Sequence, residues 1–179
     1  MSRFNAVSNI RVAAIVCQVR NGQLLVATHV PAKSDGLADY SQTTVTGTFD
    51  SSQARRPSHR GALPSAMIKT VSEHLGVSHS AVVQCISVSD KPSFHKDKIY
   101  YWHFVQLAPN VRIQANPSEI QDLIWNNPQQ LASSAKQMTD GRREMFIESL
   151  RVACRNGWFG ASFRLDLLEQ LKPQMKIRA

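Results

Sequence analysis

The sequence predicts an α/β fold in which a mixed sheet of at least five strands packs against helices. Short apolar runs rich in β-branched residues recur through the first two thirds of the chain, and an Asn-Gly pair joins the first two. A segment with apolar residues at helical spacing separates the third run from the fourth. The chain has 179 residues, of which 42% are hydrophobic and 19% are charged, so it is long enough for one domain with a substantial core.

A β-hairpin is predicted at the start of the chain. Residues 11–19 (RVAAIVCQV) and 23–28 (QLLVAT) form its strands, and Asn21-Gly22 forms its turn. A third strand is predicted at residues 43–49 (TTVTGTF), where polar and apolar residues alternate. Because Gly47 in this strand has no side chain, we expect a bulge or a close approach to its backbone there.

One amphipathic helix is predicted after a basic surface loop at residues 50–61 (DSSQARRPSHRG). Its helical spacing begins at Leu63-Pro64, since proline suits the first turn, and Gly76 is a good C-terminal stop. Its apolar face is formed by Met67, Val71 and Leu75. Its polar face is predicted to carry Thr70, Glu73 and His74, because spacings of three and four residues place side chains on one side of a helix.

The second half of the chain predicts further strands and then helices. The strands are expected at residues 81–88, 98–107 and 120–125. Helix starts are expected at Asn127-Pro128 and Thr139-Asp140, and a final short helix at residues 163–171. We therefore expect a single domain over residues 1–179, with its core at about 11–131 and a C-terminal helical part at about 139–171.

Charge and composition restrict the class of protein. The net charge of +8 arises from 21 Lys and Arg against 13 Asp and Glu, and it favours anionic partners such as nucleotides, nucleic acid or acidic protein surfaces. A solvated basic surface explains the same charge equally well. The three cysteines show no CxxC pair and no zinc-site spacing, so they are expected to be reduced. Without a signal-peptide pattern or a run of about 18 apolar residues, the sequence predicts a cytoplasmic protein that does not enter a membrane.

Residues 69–77 (KTVSEHLGV) carry the most informative motif. They resemble the second part of the box G-x5-E-x7-REUxEExGU of the Nudix hydrolase superfamily, in which U is an aliphatic residue. The matching positions are Val71, Glu73, Gly76 and Val77. Lys69 is a basic replacement for the arginine, whereas Thr70 and His74 stand where the box has its first and last glutamates.

Gly47 is the best candidate for the glycine that opens the box, with an insertion of about eight residues occupied by the basic segment 55–60. The resemblance covers roughly residues 11–131. It implies a Nudix-type α/β/α sandwich, with a mixed central sheet and the box on a loop-helix-loop unit. In the family, the box carboxylates hold Mg²⁺ or Mn²⁺ ions that bind a diphosphate and activate a water molecule. Glu119 resembles the acidic residue that often supplies a further metal ligand or base.

The resemblance also defines candidate residues for chemistry. The candidate catalytic residues are Glu73 and Glu119, and the candidate metal ligands are Glu73 and His74. Replacing two glutamates by Thr70 and His74 removes two negative charges, and hard cations prefer charged oxygen ligands, so a Mg²⁺ or Mn²⁺ site of normal composition is not expected. An altered Mn²⁺ or Zn²⁺ site that also uses Asp50 is one alternative. The other is that a partly protonated His74 interacts favourably with the negative end of the helix dipole, and that Glu73 pairs with Lys69, four residues earlier.

The candidate ligand-binding residues are basic or aromatic. They are Arg55, Arg56, Arg60, Lys69, Tyr101 and His103. In the strand at 98–107, period-two alternation places Tyr100, Trp102 and Phe104 on the face opposite Tyr101 and His103. That aromatic stripe could stack a base or form part of the core.

Three functions remain open at this point. The first is a divergent Nudix-fold protein that binds a nucleotide or another phosphorylated ligand, with weak or lost hydrolase activity. The second is a metal-dependent pyrophosphohydrolase of nucleoside diphosphate derivatives with a rearranged site. The third is a basic RNA-binding or ribonucleoprotein scaffold subunit, whose binding would weaken steeply with salt. A fold alone does not choose among them, because function belongs to the site.

Overall fold

In the part of the chain that the structure describes, seven strands form one mixed central sheet. The structure, a computed structural model, describes residues 9–31, 44–49, 61–95 and 97–127, together with residues 130, 148, 151, 152 and 154–157. The elements are β1 (Ile10–Arg20), β2 (Gln23–Pro31), β3 (Thr44–Thr48), α1 (Ala62–Leu75), a short 3-10 helix (His79–Ala81), β4 (Val82–Ser87), β5 (Ser93–His95), β6 (Lys98–Leu107) and β7 (Ile120–Asn126).

β1 and β6 form the middle of the sheet and run parallel to each other, in register from Ile10–Ile99 to Gln18–Leu107. The other pairings are antiparallel, and the strand order is β4-β6-β1-β2-β7. β3 lies beside the first half of β1 and β2 beside the second half, while β5 extends the edge that β4 makes along β6. The expectation of a mixed sheet with at least five strands is confirmed.

The first hairpin turns at Asn21-Gly22, as predicted. Asn21 has φ 50° and Gly22 has φ 74°, so both central residues are left-handed, which is the geometry of a type I′ turn. Glycine and asparagine adopt this conformation at lower cost than other residues. The turn therefore joins two strands whose register follows directly from it.

Helix α1 packs its apolar face on one face of the sheet. Its residues Leu63, Met67, Val71 and Leu75 are fully buried and join the core with β1 and β6 side chains. On β1, alternate residues face either α1 or the opposite side, yet every residue from Val12 to Gln18 is 0–1% exposed. β1 is thus buried on both faces, as expected of a strand at the centre of an α/β sheet.

Three differences from the sequence-based expectation concern local boundaries. The helix begins at Ala62, one residue before the expected Leu63-Pro64 start. The expected fourth strand begins with the 3-10 helix, so β4 itself starts at Val82. The loop expected before β6 contains strand β5, which is only three residues long and carries too little alternation to be recognised.

The C-terminal helices predicted from Asn127-Pro128, from Thr139-Asp140 and at residues 163–171 lie almost entirely outside the described residues. Among the described residues of this region, Arg151, Val152, Cys154 and Arg155 are helical, and a turn follows at Gly157. In the part of the chain that the structure describes, no helix has the length and apolar character needed to cross a membrane.

Candidate functional site

The Gly47 backbone lies directly against the Thr70 side chain. A Cβ atom built on Gly47 would lie 2.4 Å from Thr70 Oγ1 and 2.7 Å from Cγ2, both too close for a real contact, and 3.1 Å from Cβ, which is a tight contact. The close approach expected at Gly47 is confirmed. The residue proposed to open the box therefore meets the residue at the first-glutamate position, although 22 residues lie between them in the sequence.

Thr70 does not lie on the exposed polar face, and that prediction is wrong. It is buried, with 7% of its surface exposed, and its hydroxyl donates a hydrogen bond to the Ala66 carbonyl at 2.9 Å. The physical reason is that Gly47 leaves room for a side chain between α1 and β3, and threonine can satisfy its own hydroxyl within the helix. The position thus contributes packing and no charge.

Glu73 is the only carboxylate on α1 and points into solvent. Its Oε1 lies 3.9 Å from Lys69 Nζ, and both side chains are 62% exposed. The pairing with the lysine four residues earlier, considered from the sequence, is therefore present. An exposed pair of this kind contributes only about 0.3–0.5 kcal/mol to stability. Because both side chains are exposed, a ligand can still reach them.

The C-terminal end of α1 is held by the segment at residues 111–119. Gly76 is left-handed, with φ 60°, and its Cβ position lies 2.0 Å from the Gln114 carbonyl oxygen, so both its backbone conformation and the contact require glycine. The amides of Gln114 and Asn116 donate to the carbonyls of Leu75 and His74, at 3.0 and 2.9 Å. These bonds satisfy helix-end carbonyls that would otherwise lack partners.

This arrangement brings the chain around Glu119 to the end of the helix that carries Glu73 and His74. The Glu119 amide donates to the Asn116 carbonyl at 3.0 Å, and the Asn116 amide donates to His74, so two main-chain bonds connect the two segments. Glu119 is exposed and His74 is half-buried. The sequence gives no signal for this junction because it is built from backbone groups, which every residue type supplies.

Tyr101 and His103 lie on the α1 face of β6. Tyr101 pairs with Val12, which in turn pairs with Gly47, so these three residues form a row across three strands beneath the helix. Tyr101 is half-buried and packs against the core. His103 is fully buried, and its Nδ1 lies 3.2 Å from the Tyr101 carbonyl oxygen. The structure therefore places Tyr101 near the box glycine and His103 within the protein interior.

The remaining predicted site residues precede α1 in the sequence. Asp50, Arg55, Arg56 and Arg60 lie outside the described residues. Among the residues that are described, no three His, Cys, Asp or Glu side chains group together as a metal ion requires. With a buried, internally bonded threonine in place of the first glutamate, the described donors do not fit the Mg²⁺ or Mn²⁺ site that the box implies.

Two cysteines can be set aside as nucleophiles. Burial raises the pKa of Cys85 to about 12, and burial also raises the pKa of Cys17 well above its ordinary value. The thiolate is the reactive form, so both groups remain protonated and unreactive at neutral pH. Cys17 on β1 is fully buried, and Cys85 on β4 is partly buried and packs against the core.

Comparison of the sequence with known families yields no matching family model and no matching curated protein. The three-dimensional structure, in contrast, matches many solved structures, several of them Nudix proteins. The NUDIX domain of Shewanella oneidensis NrtR, complexed with ADP ribose, is 14% identical, with 81% of this chain and 87% of that chain covered and a TM-score of 0.55. The C. elegans Ap4A hydrolase is 13% identical, with 83% and 99% covered and a TM-score of 0.54.

A third match is the E. coli dihydroneopterin triphosphate pyrophosphohydrolase, 14% identical, with 76% of this chain and 91% of that chain covered and a TM-score of 0.52. At these identities the likeness concerns the fold alone. The order of strands, the single helix that follows β3 and the Gly47–Thr70 contact agree with the motif at residues 69–77. The chain therefore has the Nudix fold.

Proposed function

We propose that this chain uses the Nudix fold to bind a nucleotide derivative or another phosphorylated ligand, with metal-dependent hydrolysis that is weak or lost. The observation that carries the proposal is the contact between Gly47 and Thr70. It keeps the box glycine and the first-glutamate position together, which supports a preserved site geometry. At the same time it fills the carboxylate position with a buried side chain that carries no charge.

The charge balance supports binding without tight metal coordination. A compact dication requires anionic oxygen ligands, and α1 offers Glu73 as its only carboxylate. A phosphorylated ligand brings its own negative charge, which a chain of net charge +8 attracts without a metal. Lys69, exposed beside Glu73, is one cation that a phosphate could reach. The ADP ribose bound by the NrtR domain and the name of the Ap4A hydrolase suggest the class of ligand to test.

The hydrolytic part of the proposal is tested by restoring the missing charges. We expect the wild-type protein to turn over ADP-ribose and Ap4A very slowly in Mg²⁺ or Mn²⁺. His74→Glu adds one carboxylate at a half-buried position, and Thr70→Glu with His74→Glu restores all three. Hydrolysis that rises with each added carboxylate supports the proposal, because each charge strengthens a divalent site.

Thermal unfolding of both variants shows whether they fold, and His74→Glu alone keeps the test valid if the buried Thr70→Glu change does not. A matched control is Thr46→Glu, which adds a carboxylate at an exposed position on the face of β3 away from the helix. Wild-type turnover comparable with that of the restored variants would contradict the proposal.

A pyrophosphohydrolase with a rearranged site is the second candidate. The observation that favours it is the main-chain junction that brings the segment of Glu119 to the His74 end of α1. On this account Glu73 and Glu119 carry the reaction, and His74 provides a nitrogen ligand suited to Mn²⁺ or Zn²⁺. Glu73→Gln and Glu119→Gln should then each abolish turnover, while Asp122→Asn, an exposed carboxylate on β7, should leave it unchanged. Turnover that survives Glu73→Gln removes this candidate.

A further inference from the structure

Arg20, the last residue of β1, is held in a fixed position at the end of the first hairpin. Its Nε–H donates a hydrogen bond to Gln18 Oε1 at 2.7 Å. Its guanidinium carbon lies over the Trp125 ring, 5.3 Å from the ring centroid, which is the geometry of a cation–π contact. The guanidinium is therefore fixed along one edge and across one face.

The side chain that holds Arg20 is itself buried and ordered. Gln18 is 0% exposed, and its side-chain amide nitrogen donates to the Ala108 carbonyl. This bond directs the amide oxygen of Gln18 toward Arg20. A side chain that is ordered before a ligand arrives loses less conformational entropy on binding. Arg20, which is half-buried, is thus pre-organised at the protein surface.

The positive charge of Arg20 has no acidic partner among the described residues. The ion pairs found there involve other cations, namely Lys69, Arg151 and Arg155. Residues 9–31 and 98–118, which include the strands and the loop around Arg20, contain no Asp or Glu. Because Nε is bonded to Gln18, the end of the guanidinium that carries Nη1 and Nη2 is the part available to a ligand.

A second donor lies beside this end of Arg20. Gln23 on β2 is directly opposite Arg20 across the hairpin. Opposed residues of an antiparallel pair share one face of the sheet, with Cβ atoms about 5 Å apart. Gln23 is exposed, and its side-chain amide can donate a hydrogen bond to a ligand that Arg20 holds.

We propose that Arg20 and Gln23 form a binding site for a phosphate group, separate from the box. The planar guanidinium matches two oxygens of a phosphate, and a third oxygen can accept from Gln23. A phosphate carries more negative charge than a carboxylate, so a cation with no acidic residue around it favours the phosphate. Free phosphate and a phosphate monoester both supply this chemistry, and the test distinguishes them.

The proposed phosphate site lies far from the box. Val12 pairs with Gly47, the glycine that opens the box, and Arg20 follows Val12 by eight residues on the same strand. Eight residues of a strand extend about 26 Å. One phosphate group cannot contact both places, so the proposal does not depend on the ligand proposed for the box.

The test follows the Nε–H signal of Arg20 in nitrogen–proton NMR spectra, since its bond to Gln18 protects this proton from rapid exchange. The signal is identified by its loss in Arg20→Lys. Sodium phosphate, methyl phosphate and sodium acetate are each added at constant ionic strength and neutral pH. We expect phosphate or methyl phosphate to shift the signal with a dissociation constant in the millimolar range, about fivefold or more below that of acetate. The tighter of the two phosphates identifies the source.

The variants are compared through the backbone amide signals of Asn21 and Gly22, which adjoin Arg20 and do not require its side chain. Arg20→Gln should weaken phosphate binding by about tenfold or more. Arg20→Lys should weaken it by about fivefold, because an ammonium keeps the charge but cannot bind two oxygens side by side. The matched control is Arg155→Gln, which should leave the affinity unchanged because Arg155 already pairs with Glu148 at 2.7 Å.

Three results would overturn the proposal. They are no shift of the Arg20 Nε–H signal in about 20 mM phosphate, acetate binding as tight as phosphate binding, and equal losses of affinity in Arg20→Gln and Arg155→Gln. Equal binding of acetate would instead indicate a site for acidic peptides. The first two results come from the wild-type protein, so they stand even where a variant does not fold. None of the three concerns ADP-ribose or Ap4A at the box, so failure here is separable from failure of the proposed function.

Discussion

Replacing Gly47 with alanine should expose the packing on which the site depends. The new Cβ would lie 2.4 Å from Thr70 Oγ1 and 2.7 Å from its Cγ2. Both atoms belong to a β-branched side chain whose rotation is restricted in a helix, and its hydroxyl is bonded to the Ala66 carbonyl. Either Thr70 leaves its rotamer or β3 moves away from α1. Overpacking of this kind costs about 1–3 kcal/mol of the free energy of unfolding.

Thr70→Ala removes the two atoms that would clash. Alone it should cost about 1 kcal/mol, through the lost hydrogen bond and buried methyl group. In the double variant, the Gly47→Ala cost should fall by about 1–2 kcal/mol, because only the Thr70 Cβ at 3.1 Å remains close. The rescue is therefore partial, since a 3.1 Å contact is still tight.

Urea unfolding of the wild type, the two single variants and the double variant measures this coupling, with the slope m checked for constancy. The matched control is Gly22→Ala with and without Thr70→Ala. Gly22 has no atom within 4 Å of its Cβ position, so its cost should be the same in both backgrounds. Additive effects for Gly47→Ala and Thr70→Ala would refute the inferred contact between the box glycine and the first-glutamate position.

Three further predictions use the same unfolding assay. Gly76→Ala should lower the free energy of unfolding by about 3 kcal/mol or more, because a left-handed φ is combined with a backbone clash at Gln114. Gly22→Ala should lower it by only about 1–2 kcal/mol, because no atom lies near its Cβ position. Similar values for the two variants would contradict the clash. Burial raises the pKa of Cys85 to about 12, so between about pH 9 and 12 the native state keeps a proton that the unfolded chain releases. The free energy of unfolding should therefore fall as the pH rises from about 9 toward 12. In Cys85→Ala this fall should be smaller, because the thiol is absent. Lys69→Met should change stability by less than about 0.5 kcal/mol, because its ion pair is exposed; a larger change would show a contact that the structure lacks.

Much of the fold could be predicted because its signals are local. The Asn21-Gly22 turn, the apolar spacing of α1 and its stop at Gly76 each depend on residues close in sequence. The close approach at Gly47 could be predicted as well, since a glycine inside a strand marks a place where a side chain does not fit. Its partner could not be named, because that depends on how α1 is placed over β3.

The exposure of Thr70 was predicted wrongly for the same reason. Helical spacing correctly groups it with Glu73 and His74 on one side of the helix, but it does not show where the sheet ends beneath that side. The parallel pairing of β1 with β6 and the junction of Asn116 with His74 are likewise long-range. The aromatic stripe of β6 shows the limit most clearly, since alternation assigns its rings to one face but only the packed structure separates Phe104 from Tyr100 and Trp102.

The proposed function requires that this Nudix fold bind a phosphorylated ligand without a metal ion held by carboxylates. The decisive measurement is calorimetric titration of ADP-ribose into the protein, once in Mg²⁺ and once in a chelator. We expect the two affinities to agree within about twofold, because protein cations interact with the ligand's negative charge and α1 supplies a single carboxylate, Glu73. Binding that appears in Mg²⁺ and disappears in the chelator would contradict it.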